Sequence, residues 1–318
     1  MSVALLALLS LTAAAAPLSI AARVDDGAWK SGARSPVYGQ AVEARVAEIP
    51  DATIRWYQIF PNLAPLYKNA NHPWEPEPYK WVGLDTIEYK RVEVEAFAGQ
   101  WQVTLFEAGG QSHLLADPWG SPYHHRSLGS FWLQAEVEVN GETRRSPGIE
   151  DVDAYGLTPD VFRVSVRQDD SYLGYLTSFF NVPGLFGSVT RQSEHYIGVD
   201  CADALVAAEH RWRGQKLEKN YNVAMLMDRW PAVAKTTLSG GDAEDPLRWG
   251  EQIKPGDVIA VRYPGARGFQ HIGALYRDAD GDGLLSEGDL VIHAGPHPLT
   301  VSRLRDGGFD GEVRILRP

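Results

Sequence analysis

DCADALVAAEHRW (200–212) is the stretch on which the fold turns. Leu205, Ala208 and Trp212 follow Cys201 by steps of four, three and four, so the four residues share one face of a helix. A second helical pattern covers 221–230 and stops at Pro231. Downstream, short apolar runs at 258–261, 272–276, 290–293 and 313–316 read as strands. Helices followed by a run of strands predict an α+β domain over 170–318, not a doubly wound parallel sheet.

Upstream the period changes from helical to two. Val92, Val94 and Ala96 alternate with Arg91, Glu93 and Glu95; Trp101, Val103 and Leu105 alternate with Gln102 and Thr104. Leu133, Ala135, Val137 and Val139 alternate with Gln134, Glu136 and Glu138, and Asn140-Gly141 then supplies the positive φ of a tight hairpin. Ile54, Trp56 and Ile59 suggest another strand, and Val164 with Val166 a last one. Each run predicts one buried and one wet face, so 25–168 reads as an all-β, sandwich-like domain. Trp56 and Trp101 fall on the apolar side, Trp132 on the polar side. Trp74, Trp81 and Trp119 lie in or beside the loops 71–78 and 116–125, which are placed to bind a ligand or to cap a groove.

The composition narrows the function. Thirty Lys and Arg against 41 Asp and Glu give a net charge of −11, which disfavours nucleic acid and anionic membranes as partners. A single cysteine, Cys201, excludes an intrachain disulfide and a four-cysteine metal site. VALLALLSLTAAAA (3–16) resembles the apolar core of a secretory signal, with cleavage after Ala16 or after Ala21, although no cation precedes Arg23. Residues 1–22 are therefore expected to be a signal segment, and the protein to be exported to the periplasm or envelope of a bacterium. Pro17 and the abundance of alanine argue against a membrane anchor.

Cys201 opens its helix, where unpaired N–H groups and the helix dipole favour a thiolate. A nucleophile needs a base, and the base needs an orienting group. His271 starts one strand and His293 ends the next, so an antiparallel pairing would bring the two imidazoles together. His195, His210 and His297 lie nearby in sequence, and His210 reads as a solvated helix position.

These residues carry a resemblance. FGSVTRQSEHYIGVDCADALVAA (186–208), IKPGDVIAV (253–261), QHIGALY (270–276) and LVIHAG (290–295) resemble, in order, the conserved segments of NlpC/P60 cysteine peptidases. The resemblance covers roughly 175–318. It implies a minimal papain-like fold with Cys201 as nucleophile, His271 as general base and His293 as its orienting partner. The implied activity is hydrolysis of an amide bond in peptidoglycan stem peptides, through a thiolate–imidazolium pair and an acyl-thioester. Two positions depart from the family pattern: Gly184 stands where its active-site tyrosine falls, with Tyr196 as a possible substitute, and Ala202 replaces a serine after the cysteine. Alternatives are a wall-binding or scaffold module on a peptidase-like fold, and an amidase or transferase acting on another acyl or peptide substrate.

Between the two histidines, DADGDGLLSEGD (278–289) matches the twelve positions of an EF-hand loop. Asp278, Asp280, Asp282 and Ser286 supply side-chain oxygens, Leu284 its carbonyl, Gly283 the sharp turn, and Asp289 stands at position 12 where glutamate is usual. A structural calcium ion is the expected cofactor, bracing the hairpin that carries His271 and His293.

Overall fold

The computed structural model describes residues 18–64, 87–239, 242–295 and 297–318. The N-terminal half is built from strands: β1 (Ala21–Val24), β2 (Lys30–Ser31), β3 (Val42–Arg45), β4 (Ala52–Pro61), β5 (Tyr89–Glu93), β6 (Gln102–Phe106), β7 (Gly129–Val139), β8 (Glu142–Arg145), β9 (Val152–Asp153), β10 (Gly156–Leu157) and β11 (Phe162–Val166). One sheet runs β2-β1-β3-β6 and the other β11-β7-β4-β5, with β8 added to β7. Ala22, Val42, Val103 and Leu105 from the first sheet meet Ile54, Trp56, Leu133, Val137 and Val164 from the second in one apolar core, the expected sandwich. Asn140 and Gly141 make the β7–β8 turn at φ of 52° and 77°.

Two strand expectations change. The run through Ala96 stops as a strand at Glu93, and Glu95–Phe97 forms a 3₁₀ turn that drops Phe97 into the core. The polar face of the second sheet is also dry: Trp132, Gln134 and Glu136 are buried, and β11 is buried along its whole length. The reason is tertiary. Ile59, Trp132, Leu157 and Val161 pack into the same cluster as Tyr172, Phe179 and Tyr196 of the C-terminal half, so the outer face of this sheet is the seat for the second domain.

Leu18, Ile20 and Ala22 lie buried in the sandwich core. A cut after Ala21 would strip two of these and sever β1, whereas a cut after Ala16 leaves the strand whole. Residues 1–17, with most of the signal segment, lie outside the described residues, as do Trp74, Trp81 and the loop 71–78.

The C-terminal half is α+β. The helices α1 (Tyr172–Thr177), α2 (Thr190–Glu194), α3 (Cys201–Trp212) and α4 (Val223–Arg229) precede one antiparallel sheet. Its strands are β12 (Ala232–Ser239), β13 (Asp242–Ala243), β14 (Val258–Arg262), β15 (His271–Arg277), β16 (Leu290–His293), β17 (Thr300–Arg303) and β18 (Gly311–Leu316), in the order β13-β12-β18-β14-β15-β16-β17. Asp257 of the Pro-Gly-Asp run receives a two-pronged bond from Arg317 (2.8 and 2.7 Å) and the N–H of Lys254 (3.0 Å), locking the start of β14 beside the end of β18.

Helix α3 packs on β15 and α1 and is buried from Ala202 to His210. A helix enclosed on nearly all sides needs small residues, and the Ala-rich sequence provides them. His210 is therefore not solvated: it is 8% exposed, with Nδ1 2.9 Å from the Val206 carbonyl. Trp212, expected on the buried face, is instead 41% exposed, because the helix ends there beyond the packed region.

Candidate active site

Asp200 caps α3: its Oδ1 accepts the N–H groups of Ala202 (2.9 Å) and Asp203 (2.8 Å). This fixes Cys201 as the first helical residue, half-buried, with its thiol facing the main-chain N–H groups of Ala202 and Ile272. Ile272 follows His271 on β15, so the thiol lies beside the strand start that carries the imidazole. No hydrogen bond joins Cys201 to His271 among the described residues. The expected depression of the thiol pKa is not met. Burial, reinforced by the Asp200 and Asp203 carboxylates, pushes the thiol up against the pull of the two N–H groups.

The two predicted histidines meet. β15 and β16 are antiparallel, with Ala274 opposite Ile292. His271 Nε2 stands 2.9 Å from His293 Nδ1, and His293 Nε2 stands 2.9 Å from Ser302 Oγ on β17. Ser302 Oγ in turn donates to the Arg303 carbonyl (3.2 Å). One hydroxyl proton cannot serve two acceptors, so His293 Nε2–H donates to Ser302. His293 Nδ1 then accepts from His271 Nε2–H, and His271 Nδ1 is left with the lone pair that a general base requires. Burial and the nearby His297 push His271 down to about 3, and His293 is held well below its ordinary range by burial and both neighbours. Both the thiol and the imidazole are therefore neutral near pH 7.

Gly273 shows why the histidine strand reads His-Ile-Gly. A β-carbon there would lie 2.8 Å from Val291 Cγ2 and 2.9 Å from His293 Cβ, so only glycine lets β16 bring His293 alongside. Gly184 has a similar cause. It bridges Val199, and a β-carbon would lie 2.7 Å from the His297 carbonyl oxygen, so no tyrosine fits at this position. Tyr196 does not replace it: the ring stacks on Phe179 (4.4 Å) and its hydroxyl meets Ser178. A different phenol, Tyr263 just past β14, feels the Cys201 charge: burial first, and then that thiolate, push its hydroxyl up to about 12, and the hydroxyl donates to the Gly308 carbonyl (2.8 Å). Sequence reading missed Tyr263 and Ser302, which carry no motif of their own. Ala202 is buried, so this position faces the core rather than a substrate.

Asp203 is fully buried, bonded through Oδ2 to Ser188, while Oδ1 has no hydrogen-bond partner among the described residues. Burial and the Asp200 charge raise its pKa, so the side chain holds a proton near neutrality. His297 edges against His293 (5.0 Å) and stacks on Tyr123 (5.4 Å) from the 116–125 loop, so the N-terminal domain reaches the rim of the histidine cluster. His195 lies apart, at the end of α2, near Arg163.

In the 278–289 loop, the carboxylates of Asp278, Asp280 and Asp282 converge within 4.8 Å of one another. Asp278 also accepts from Gly281 (2.7 Å) and Gly283 (3.0 Å), and Ser286 Oγ donates to Asp280 (2.8 Å). Asp289 stands outside the triad. Its buried carboxylate accepts the N–H groups of Ala279 (3.0 Å) and Ser286 (3.0 Å) and the Trp249 indole (2.8 Å), closing the loop from within. No family model matches this chain, and neither a curated protein nor a solved structure matches it.

Proposed function

We propose that this protein is an exported cysteine hydrolase of NlpC/P60-like, papain-type architecture that cleaves an amide bond in a peptidoglycan stem peptide. The observation that carries this reading is the relay His271–His293–Ser302, whose first member is followed on its strand by Ile272, which turns its N–H to the Cys201 thiol at a capped helix start. The resting pair is neutral, so His271 Nδ1 takes the thiol proton as Sγ attacks the carbonyl carbon. The main-chain N–H at the helix start stabilises the oxyanion, and the leaving amine takes the proton back from His271. Water then hydrolyses the thioester with His271 again as base. Periplasmic or envelope location follows from the same reading and from the apolar N-terminal segment.

Asp278, Asp280 and Asp282, with Ser286 Oγ and the Leu284 carbonyl, suit a hard cation, and calcium at this loop would neutralise the triad and brace the β15–β16 connection. The deciding experiment compares digestion of purified sacculi by the wild type and by Cys201→Ala. Fragments released only by the wild type support the hydrolase, and mass spectrometry names the bond. A second reading, a wall-binding scaffold without catalysis, is favoured by the raised thiol pKa. It requires sacculus binding without fragments from either protein.

A further inference from the structure

Three rings stand almost perpendicular to the imidazole of His293. His271 crosses it at 75° with centroids 5.1 Å apart, His297 at 79° and 5.0 Å, and Phe309 at 77° and 5.5 Å. Edge-to-face contacts of this kind are favourable, and three of them around one ring oppose its rotation about χ2. A half-turn would put carbons where the His293 nitrogens stand and break both bonds of the relay, to His271 and to Ser302.

Two of these neighbours are fixed by their own surroundings. His271 belongs to β15, and Phe309 is buried in an apolar core. His297 is different: it lies past the end of β16 and is half-buried. Its Nδ1–H donates to the Pro298 carbonyl (2.8 Å), and the Gly295 N–H donates to the His297 carbonyl (3.1 Å), closing the turn. A bond at Nδ1 fixes one point of the ring and not its plane. The plane is set by Tyr123, which stacks on it at 5.4 Å and 23°.

Tyr123 comes from the sandwich domain, on a loop whose backbone is held on both sides of it. Asp117 accepts the N–H of Ser121 (2.7 Å), and Ser121 Oγ accepts that of Tyr123 (3.3 Å). Two residues on, His125 lies flat on Phe180 of the C-terminal half (3.8 Å, 6°). The buried Asn181 accepts the N–H of His125 (2.8 Å) and donates to its carbonyl (3.0 Å). The loop is thus pinned to the second domain next to Tyr123. Among the described residues Tyr123 joins none of the apolar cores, so its ring is not placed there to fill one.

We propose that His297 is a positioning residue for the catalytic relay and that Tyr123 of the N-terminal domain holds it in place, an inference that rests on the hydrolase reading. The sandwich domain then completes the catalytic centre. Without the Tyr123 ring, His297 is free to turn, one of the three walls around His293 is lost, and the nitrogen that orients His271 loses its fixed direction.

The test uses the full chain with Tyr123→Ala, Tyr123→Phe and His297→Leu, read by histidine ¹⁵N resonances at neutral pH, by melting temperature and by the kinetics of sacculus digestion. Tyr123→Ala should shift or broaden the His293 and His297 resonances. It should lower kcat roughly two- to tenfold, the share of one aromatic pair, with KM and melting temperature little changed. Tyr123→Phe keeps the ring and should restore wild-type spectra and rate. In a His297→Leu background, Tyr123→Ala should add nothing further, because the partner ring is gone. His293 resonances unmoved by Tyr123→Ala, additive losses in the double variant, or a rate that falls only with the folded fraction overturn the proposal. A wild type that releases no fragments overturns the hydrolase reading and the catalytic part of this one; the resonances separate that outcome from a failure of the Tyr123–His297 contact itself.

Discussion

His271 Nε2 and His293 Nδ1 stand 2.9 Å apart across two strands joined by an acidic loop, and Ser302 holds the far nitrogen of His293. The chain of three fixes which nitrogen of His271 is free to take a proton. Ser302→Ala removes the last acceptor and lets His293 adopt the other tautomer. Losing one such bond costs about 0.5–1.5 kcal/mol, so the rate of sacculus digestion should fall roughly three- to tenfold. His293→Ala should cost more, and His271→Ala about a hundredfold or more, the usual share of a general base. Histidine ¹⁵N shifts check the tautomer directly: Ser302→Ala should redistribute the proton on His293 in a protein that still folds. An unchanged tautomer would refute the assignment.

The thiol makes a distinct pH prediction. Burial and Asp200 raise the Cys201 pKa, and burial lowers that of His271. Alkylation by iodoacetamide should therefore keep accelerating above about pH 9, past the ordinary thiol midpoint of about 8.5. A plateau already reached near neutral pH would mean that a preformed thiolate–imidazolium pair prevails and that the buried environment has been overcome.

Much of this site was legible in the sequence. The steps of three and four after Cys201 gave α3, and the positions of His271 and His293 at opposite strand ends gave their meeting. What failed had tertiary causes. Alternation predicts a wet polar face on β7 because it reports pattern, not coverage; the second domain covers that face around Trp132. His210 was read as solvated for the same reason. Ser302 lies on β17, a short edge strand with a single apolar residue, so no periodicity marked it. The lowered thiol pKa expected at a helix start was outweighed by burial, a quantity the sequence does not carry.

Asp203 should make stability fall as pH rises. Burial and the Asp200 charge push its folded pKa up to about 8, against about 3.9 in the unfolded chain. Between those values the folded state holds a proton that the unfolded state has released, so stability is greatest at the acid end of the window and declines toward pH 8. Asp200 shifts in the same direction. Asp203→Asn mimics the protonated side chain, and its melting temperature should decline less than that of the wild type between about pH 5 and pH 8. Parallel profiles would show that Asp203 is ionised throughout.

Gly273→Ala tests the strand geometry itself. The new methyl group would press on Val291 Cγ2, His293 Cβ and Phe309 Cζ, at 2.8, 2.9 and 3.0 Å, so β16 must move. Overpacking of this kind costs about 1–3 kcal/mol. Digestion should fall further than the lost stability explains, because the displaced residue is His293. Activity that tracks the folded fraction alone would show that His293 has no exact position to keep.

The acidic loop decides whether the hairpin depends on a cation. Three carboxylates within 4.8 Å repel when bare, and no cation of the loop stands among them; the Asp289 carboxylate is spent on Ala279, Ser286 and Trp249 and holds the loop by hydrogen bonds instead. Calcium should raise the melting temperature, a chelator should reverse this, and both effects should vanish in Asp280→Asn. Asp289→Asn has a different signature. It replaces one acceptor oxygen of a buried carboxylate with an amide donor, so it should lower the melting temperature with or without calcium, by about 1–3 kcal/mol of stability. If calorimetry finds no calcium binding and the chelator leaves melting unchanged, the loop is held by its own hydrogen bonds and Asp289 alone does the bracing assigned to the ion.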